Sequence, residues 1–391
     1  MNPAQPIFTS RRGLLLGIGL ASLSAVQPGL AANMVGGPVR PAGVPIDSPS
    51  PLRVRPIAQD LHHPWAVATL PNGEHLVTER RGQLIRVGLN GAKIPVSGVP
   101  GVYNQGQGGL LDCILSPNFA ADLTIFLSYA EPSPNGARTA VYRAELRGSR
   151  LVNGQRIFAQ ADDYGGGFHF GSRLAIDRRG DLFITTGDRY HHRDRAQDLR
   201  SHLGKIIRIH TDGRIPADNP FVNQPGALPE IFSLGHRNIQ GLAIDPDSGQ
   251  LFAHEHGPQG GDELNLVRRG VNYGWPRVTF GQEYGSGEAI GEGVHRPDLA
   301  DPLYVWVPSI APSGMAILGT SSQHPWASSL VIGGLRARCL VRLSPDPTAR
   351  FSERRYALPG APRIRDLRLS PSGRMLALTD EPTGGLFELL I

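Results

Sequence analysis

The densest run of chemically capable groups in the 391-residue chain is Glu255-His256-Gly257-Pro258-Gln259-Gly260-Gly261-Asp262-Glu263-Leu264-Asn265, which follows a strand-like segment ending near Phe252. Carboxylates, an imidazole and backbone freed by Gly and Pro meet there, so hard-metal coordination or anion binding is chemically easy. Four other polar sets stand apart from it: Gln107-Gly108-Gly109, His169-Phe170-Gly171-Ser172-Arg173, Gly235-His236-Arg237-Asn238 and Arg363-Ile364-Arg365-Asp366. Arg363 and Arg365 alternate, so on a strand they face one way, either as a cationic fork for carboxylates or as a solvated face. The imidazole of His169 is a general base by type, although a histidine beside Phe and Gly is also a common structural element.

Groups so far apart in sequence need a scaffold that gathers them. The chain repeats a degenerate unit of apolar strand, Pro/Asp-x-Gly turn and apolar strand. It occurs at Trp65–Arg80, Leu174–Thr185, Leu242–Phe252 and Leu367–Leu378, with weaker copies at Leu110–Leu127 and Met315–Leu330. About six units at intervals of roughly 45 to 75 residues suit four-stranded blades with variable loops. The reading is an all-β, six-bladed β-propeller of four-stranded antiparallel blades, because radial repetition removes the open sheet edges that a string of hairpins would leave. A pair of β-sandwiches is the alternative. In a propeller the polar sets, each just before a unit, would crowd one axial pocket.

Composition agrees with that scaffold. With 40% hydrophobic and 19% charged residues the chain is neither disordered nor fibrous, and 49 Gly with 34 Pro favour short strands and tight turns over long helices. The net charge of +5 comes from scattered Lys and Arg without a basic run, which argues against a nucleic-acid partner. Residues 1–32 read as an export signal: Arg11-Arg12 precedes an apolar run to about Val26, and Ala31-Ala32 suit cleavage. The paired arginines point to the twin-arginine route and a periplasmic protein. Residues 33–51 form a Pro/Gly-rich leader, and 52–391 the folded body, with no further stretch long enough to span a membrane. Cys113 and Cys339 sit in separate apolar runs and read as buried thiols, while export would permit a disulfide. No C-x-x-C-H is present, so covalent haem is excluded, and the only apolar G-x-G lies in the signal.

In order along the body, Gln107-Gly108-Gly109-Leu110-Leu111, Leu234-Gly235-His236-Arg237-Asn238-Ile239-Gln240-Gly241-Leu242, Glu255-His256-Gly257-Pro258, Asp262-Glu263-Leu264-Asn265, Asn272-Tyr273-Gly274-Trp275-Pro276 and Arg363-Ile364-Arg365-Asp366 resemble the soluble pyrroloquinoline-quinone (PQQ)-dependent sugar dehydrogenases, most closely their periplasmic aldose sugar dehydrogenase branch. The resemblance implies oxidation of an aldose at C1 to the lactone, with electrons passed to a separate acceptor. It implies PQQ, a tricarboxylate, held by Arg363 and Arg365 in a cradle that includes Gln107, Arg237 and Asn238. It implies a Ca2+ ion on the carbonyls of Gly257 and Pro258, and a second, structural Ca2+ on Glu263 and the Tyr273 carbonyl. His169 becomes the catalytic base, with calcium and Arg237 stabilising developing oxyanion charge. Three positions depart from the family pattern. Phe168 stands where the glucose-oxidising branch has an acidic residue, Arg336 or Arg338 replaces its cofactor-binding lysine, and Arg189 replaces a glutamine. Support for the base must therefore come from elsewhere, and broad aldose specificity is expected.

Two other classes use the same architecture. A calcium-dependent propeller lactonase would activate water at the metal and would have no use for Arg363 and Arg365 beside a quinone. A non-catalytic periplasmic propeller would bind a glycan or partner with the same axial groups.

Overall fold

Alternating apolar positions and Gly-containing turns fold into 24 strands, and helix among the described residues is confined to Phe119–Asp122 and a 3-10 turn at Arg193–Gln197. The computed structural model describes residues 51–391; the export signal expected at 1–32 and all but the last residue of the leader expected at 33–51 lie outside the described residues. The strands form six four-stranded antiparallel sheets. Each sheet's first strand packs against the first strands of its neighbours, so Pro64–Thr69, Leu110–Leu115, Leu174–Ile176, Ile239–Ile244, Pro312–Leu318 and Ile364–Leu369 ring a central axis. The fold is the expected six-bladed β-propeller, and each of the six repeat units seen in sequence starts within or just after one of these inner strands.

The sixth blade is composite. Its first three strands, Ile364–Leu369, Met375–Thr379 and Gly384–Leu390, come from the end of the chain, and its outer strand, Arg53–Leu61, from the beginning. Arg53 pairs with Leu390 and Leu61 with Gly384, which ties the ring shut.

Burial follows from the two-residue strand period, because both faces of each blade lie between neighbouring blades. One apolar cluster joins Leu76 and Leu84 of the first blade to Leu110 and Leu127 of the second. Others join Phe126 to Ile184 and Ile207, Phe183 to Leu242, Phe252 to Ile332, Leu340 to Leu367, and Leu378 to Val77. Cys113 and Cys339 are free thiols buried in two different clusters. Burial pushes the Cys339 thiol up to about 11.

The axis itself is closed by charge. Arg173 is 2% exposed, lies 2.9 Å from Asp366 Oδ1 and 3.6 Å from Asp112 Oδ1, and stacks on Trp65 at 4.1 Å. Arg368 completes the square, 2.6 Å from Asp112 and 3.1 Å from Asp366. The same carboxylates accept backbone N–H bonds from Leu174 and Val67, so the network ties together the inner strands of four blades.

Candidate functional site

The polar sets flagged in sequence lie at the starts of inner strands: Gln107 before Leu110, His169 before Leu174, Asn238 before Ile239 and Arg363 before Ile364. Antiparallel blades place all these starts at one end of the ring. A cavity of about 440 Å³ opens there, walled by Gln107, Asn238, His256, Arg363 and Arg365. Gln240, of the same motif as Asn238, lies in the wall too, and residues not singled out in sequence complete it, notably Arg80 and Asp380.

His169 is 6% exposed. Its backbone N–H donates to Gln107 Oε1 at 2.9 Å, and its Nδ1 lies 2.6 Å from Asp188 Oδ1. Asp188 is fixed in turn by Trp275 Nε1, which donates to Oδ2 at 2.8 Å, and by the Tyr190 backbone N–H at 2.8 Å. Burial tends to raise the Asp188 carboxyl, but the hydrogen bond from His169 and the positive charge of Arg237 hold it below its ordinary range. Burial lowers the imidazole's pKa more than Asp188 raises it. The ring is therefore neutral at pH 7, its Nδ1–H directed to Asp188 and its Nε2 lone pair free to accept. Backbone strain concentrates here: His169, Ser172, Arg189 and Tyr190 all have positive φ, conformations that cost on the order of 1–3 kcal/mol each and persist only where surrounding structure imposes them. Gly187 permits the approach, since a Cβ there would fall 2.2 Å from the His169 carbonyl oxygen.

Arg237 stands beside this pair. Its guanidinium donates to the carbonyls of His256 at 3.0 Å and Gly257 at 2.7 Å and lies 5.4 Å from the Trp275 ring centroid. Beside it a second cavity, about 330 Å³, is lined by Tyr190, Pro258, Trp275, Glu283 and Tyr284 together with Arg237. The His169 ring meets Tyr190 edge-on at 5.3 Å. His169 lines neither cavity itself but is packed between Gln107 and Phe170 of the cationic axial one and Tyr190 of the second, whose wall includes Arg237, so the two residues lie at the partition between them.

The loop from Glu255 to Asn265 divides its labour. The Gly257 carbonyl meets the Arg237 guanidinium, Pro258 faces the second cavity, and Glu263 and Tyr273 line a small buried space of about 10 Å³ with Glu255. Asn265 bridges the two glutamates through Nδ2, at 3.3 and 3.4 Å, while its own Oδ1 is buried without a partner. Burial first, and the neighbouring Glu255 second, push the Glu263 carboxyl well above the usual range. The carboxylates of Glu255 and Glu263 beside this space, with the unsatisfied Asn265 Oδ1 near both, are oxygen donors of the kind a hard cation takes, although Arg237 and His256 share the lining. Among the described residues no cluster of three His, Cys, Asp or Glu could hold a metal, so a cation at either expected site depends on backbone carbonyls.

Arg363 and Arg365 converge on one carboxylate: both donate to Asp380 Oδ2, at 3.0 and 2.9 Å. Burial opposes ionisation of Asp380, yet the two guanidiniums hold its pKa down to about 2. The Nε of Arg365 is buried and has no partner, so the cavity retains donor capacity for further anionic oxygens. That surplus fits a polycarboxylate cofactor.

Arg336 and Arg338 are placed differently. The chain turns after the strand Ser329–Gly334, Leu335 enters the cavity wall, and both arginines project to the exposed side. Arg338 donates to the Ala361 carbonyl at 2.6 Å and lies 3.5 Å from Glu381; neither arginine belongs to the wall. Asp188, which orients His169 in place of the acidic residue missing at Phe168, was not singled out in sequence. Its position just past the strand Asp181–Thr185, in the same blade as His169, was the available signal.

Comparison with known proteins adds an independent line. A family model described as glucose/sorbosone dehydrogenase matches residues 61–388. The aldose sugar dehydrogenase YliI of Escherichia coli is 40% identical over 351 residues, covering 88% of this chain and 94% of the relative. The apo-form crystal structure of the soluble aldose sugar dehydrogenase from Escherichia coli superposes with a TM-score of 0.83 at 39% identity, over 87% of this chain and 99% of that one. The PQQ-bound form of an aldose sugar dehydrogenase from Streptomyces coelicolor superposes with a TM-score of 0.70 at 30% identity, over 87% and 100% of the two chains.

Proposed function

The chain belongs to the glucose/sorbosone dehydrogenase family, which makes it an oxidoreductase acting on sugars, and on that premise we propose that it oxidises aldoses at C1 to the lactone with PQQ and Ca2+ as cofactors. The observation that carries the reading is the His169–Asp188 pair, at 2.6 Å, buried behind Gln107 and Phe170 of a cationic cavity and Tyr190 and Trp275 of an aromatic, polar one.

The cationic cavity is the seat of PQQ. Arg363 and Arg365 would hold its carboxylates, Gln107 and Asn238 would supply polar contacts, and beside this cavity the carbonyls of Pro258 and of Gly257, the latter now accepting from Arg237, would hold Ca2+. Bound PQQ supplies an electrophilic quinone carbonyl, polarised by Ca2+, that accepts hydride from C1 of the sugar. The sugar enters from the side of Tyr190, Trp275 and Tyr284, whose rings offer apolar faces to a pyranose. His169 Nε2 takes the proton of the anomeric hydroxyl, and Asp188 stabilises the imidazolium that results. Arg237, at the partition, donates to oxygen on which negative charge develops. Glu263, Glu255 and the Tyr273 carbonyl would hold a structural Ca2+, which would pin the loop carrying Gly257 and Pro258.

No helix among the described residues is long and apolar enough to cross a membrane. The leader expected at residues 1–32 assigns this chemistry to the periplasm, with electrons leaving through a separate carrier. The test is to reconstitute purified protein with Ca2+ and PQQ and follow aldose-dependent dye reduction. Turnover that requires both additions is expected; folded protein that binds PQQ yet reduces no dye with any aldose would overturn the reading.

A further inference from the structure

The axial cavity contains one cation that no carboxylate claims. Arg363 and Arg365 share Asp380, whereas Arg80, in the wall of the same cavity, makes no ion pair among the described residues. One Arg80 terminal nitrogen donates to the Gly106 carbonyl, and its Nε is buried without any partner. The adjacent Arg81 pairs with Glu79 at 2.8 Å, so the two neighbouring arginines are used in opposite ways.

The Arg80 backbone is held from two blades. Its N–H donates to the His63 carbonyl at 3.2 Å, and its carbonyl accepts from Leu110 at 3.0 Å. Gly109, at φ +132°, allows this approach, since a Cβ there would fall 2.0 Å from the Arg80 carbonyl oxygen. A pinned, half-buried guanidinium with unused donors carries a desolvation cost that an anionic oxygen would offset. Burial lowers the Arg80 pKa, and Arg365 adds to that effect while Asp380 opposes it, so the two cationic groups act on one space.

We propose that Arg80 is a carboxylate-binding residue of the cofactor cradle, supplying the cation that the exposed Arg336 and Arg338 do not bring to the cavity. The inference rests on the PQQ reading above. A tricarboxylate entering the cavity meets two guanidiniums already shared with Asp380 and a third that is uncommitted. Arg80 is thus the group whose charge is compensated only when the cofactor binds.

The experiment is equilibrium titration of the calcium-loaded apoprotein with PQQ, followed by quenching of tryptophan fluorescence at several salt concentrations. Wild type, Arg80→Gln, Arg80→Lys and Arg338→Gln are compared, with thermal unfolding of each as the control. Arg80→Gln should raise Kd roughly ten-fold or more, the scale of one lost charge-assisted hydrogen bond, and should flatten the salt dependence. Arg80→Lys should recover part of the affinity, and Arg338→Gln should bind as wild type does. An Arg80→Gln protein with wild-type Kd, or one whose weaker binding keeps the wild-type salt slope and follows a lowered Tm, overturns the assignment while leaving the PQQ reading intact. Failure of wild type itself to bind PQQ overturns both.

Discussion

His169 and Asp188 form a 2.6 Å contact from Nδ1 to Oδ1, and the other carboxylate oxygen is held by Trp275 Nε1 at 2.8 Å. The pair is therefore fixed in tautomer and in orientation. Replacing Asp188 with Asn removes the acceptor for Nδ1–H and permits the wrong tautomer. The Asp188→Asn variant should lose kcat by about 10²- to 10⁴-fold with a much smaller change in KM, measured by steady-state dye reduction.

The same geometry sets the pH profile. Burial holds the His169 pKa below the usual histidine range of about 6.5, and the base works only when neutral. Activity should rise with pH through a limb centred below that value and then stay level through neutrality. In Asp188→Asn the raising influence of the carboxylate is gone, so the limb should move further to acid. A limb that moved towards alkaline pH would contradict the assignment.

Asp380 makes stability depend on acid. Its carboxyl titrates at about 2 in the folded chain against 3.8 ordinarily. A depressed carboxyl contributes stability that is present above the unfolded value and lost as pH falls through the folded one. The window runs from about 4 down to about 2, and the contribution at neutral pH is roughly 2 kcal/mol. Denaturant titrations across that window should show a steeper acid loss for wild type than for Asp380→Asn.

Cation binding at Glu263 should be visible without catalysis. Calcium at about 100 times its Kd should stabilise the apoprotein by about 2.7 kcal/mol, and a chelator should reverse the gain. Glu263→Gln retains the buried shape but removes one charge. Its unfolding midpoint should respond far less to calcium, read by thermal or denaturant melts.

The axial charge network predicts an asymmetry between single and combined changes. Arg173→Met leaves Asp112 and Asp366 buried with Arg368 alone to compensate them, and should cost about 3–5 kcal/mol. Adding Asp366→Asn to that variant should recover part of the loss, because it removes the uncompensated charge. Equilibrium unfolding of Arg173→Met, Asp366→Asn and the double variant measures the coupling.

The architecture was legible because strand period and turn residues are local, and each blade repeats them. Gln107, His169, Asn238 and Arg365 were legible because each is placed at or beside the start of an inner strand, a position fixed by the repeat. Asp188, Asp380 and Arg80 were less visible: each follows the second strand of a hairpin, where nothing in the pattern distinguishes a residue facing the axis from one facing solvent. Arg336 and Arg338 show the reverse difficulty. Their charge suited the cradle, but the turn after Gly334 gives the inward position to Leu335. Direction required the backbone.

The pairing of Arg53 with Leu390 has a consequence in time. A ribosome delivers the strand Arg53–Leu61 before all the other blade strands and its partner Gly384–Leu390 after them, so that early strand waits with its hydrogen-bonding edge open until the partner emerges. Five blades can assemble vectorially, but the axial cavity, walled in part by the first and sixth blades together, exists only once that last strand has joined the ring. Truncating even the final strand should therefore abolish ring closure and cofactor capture together, since one late event creates both.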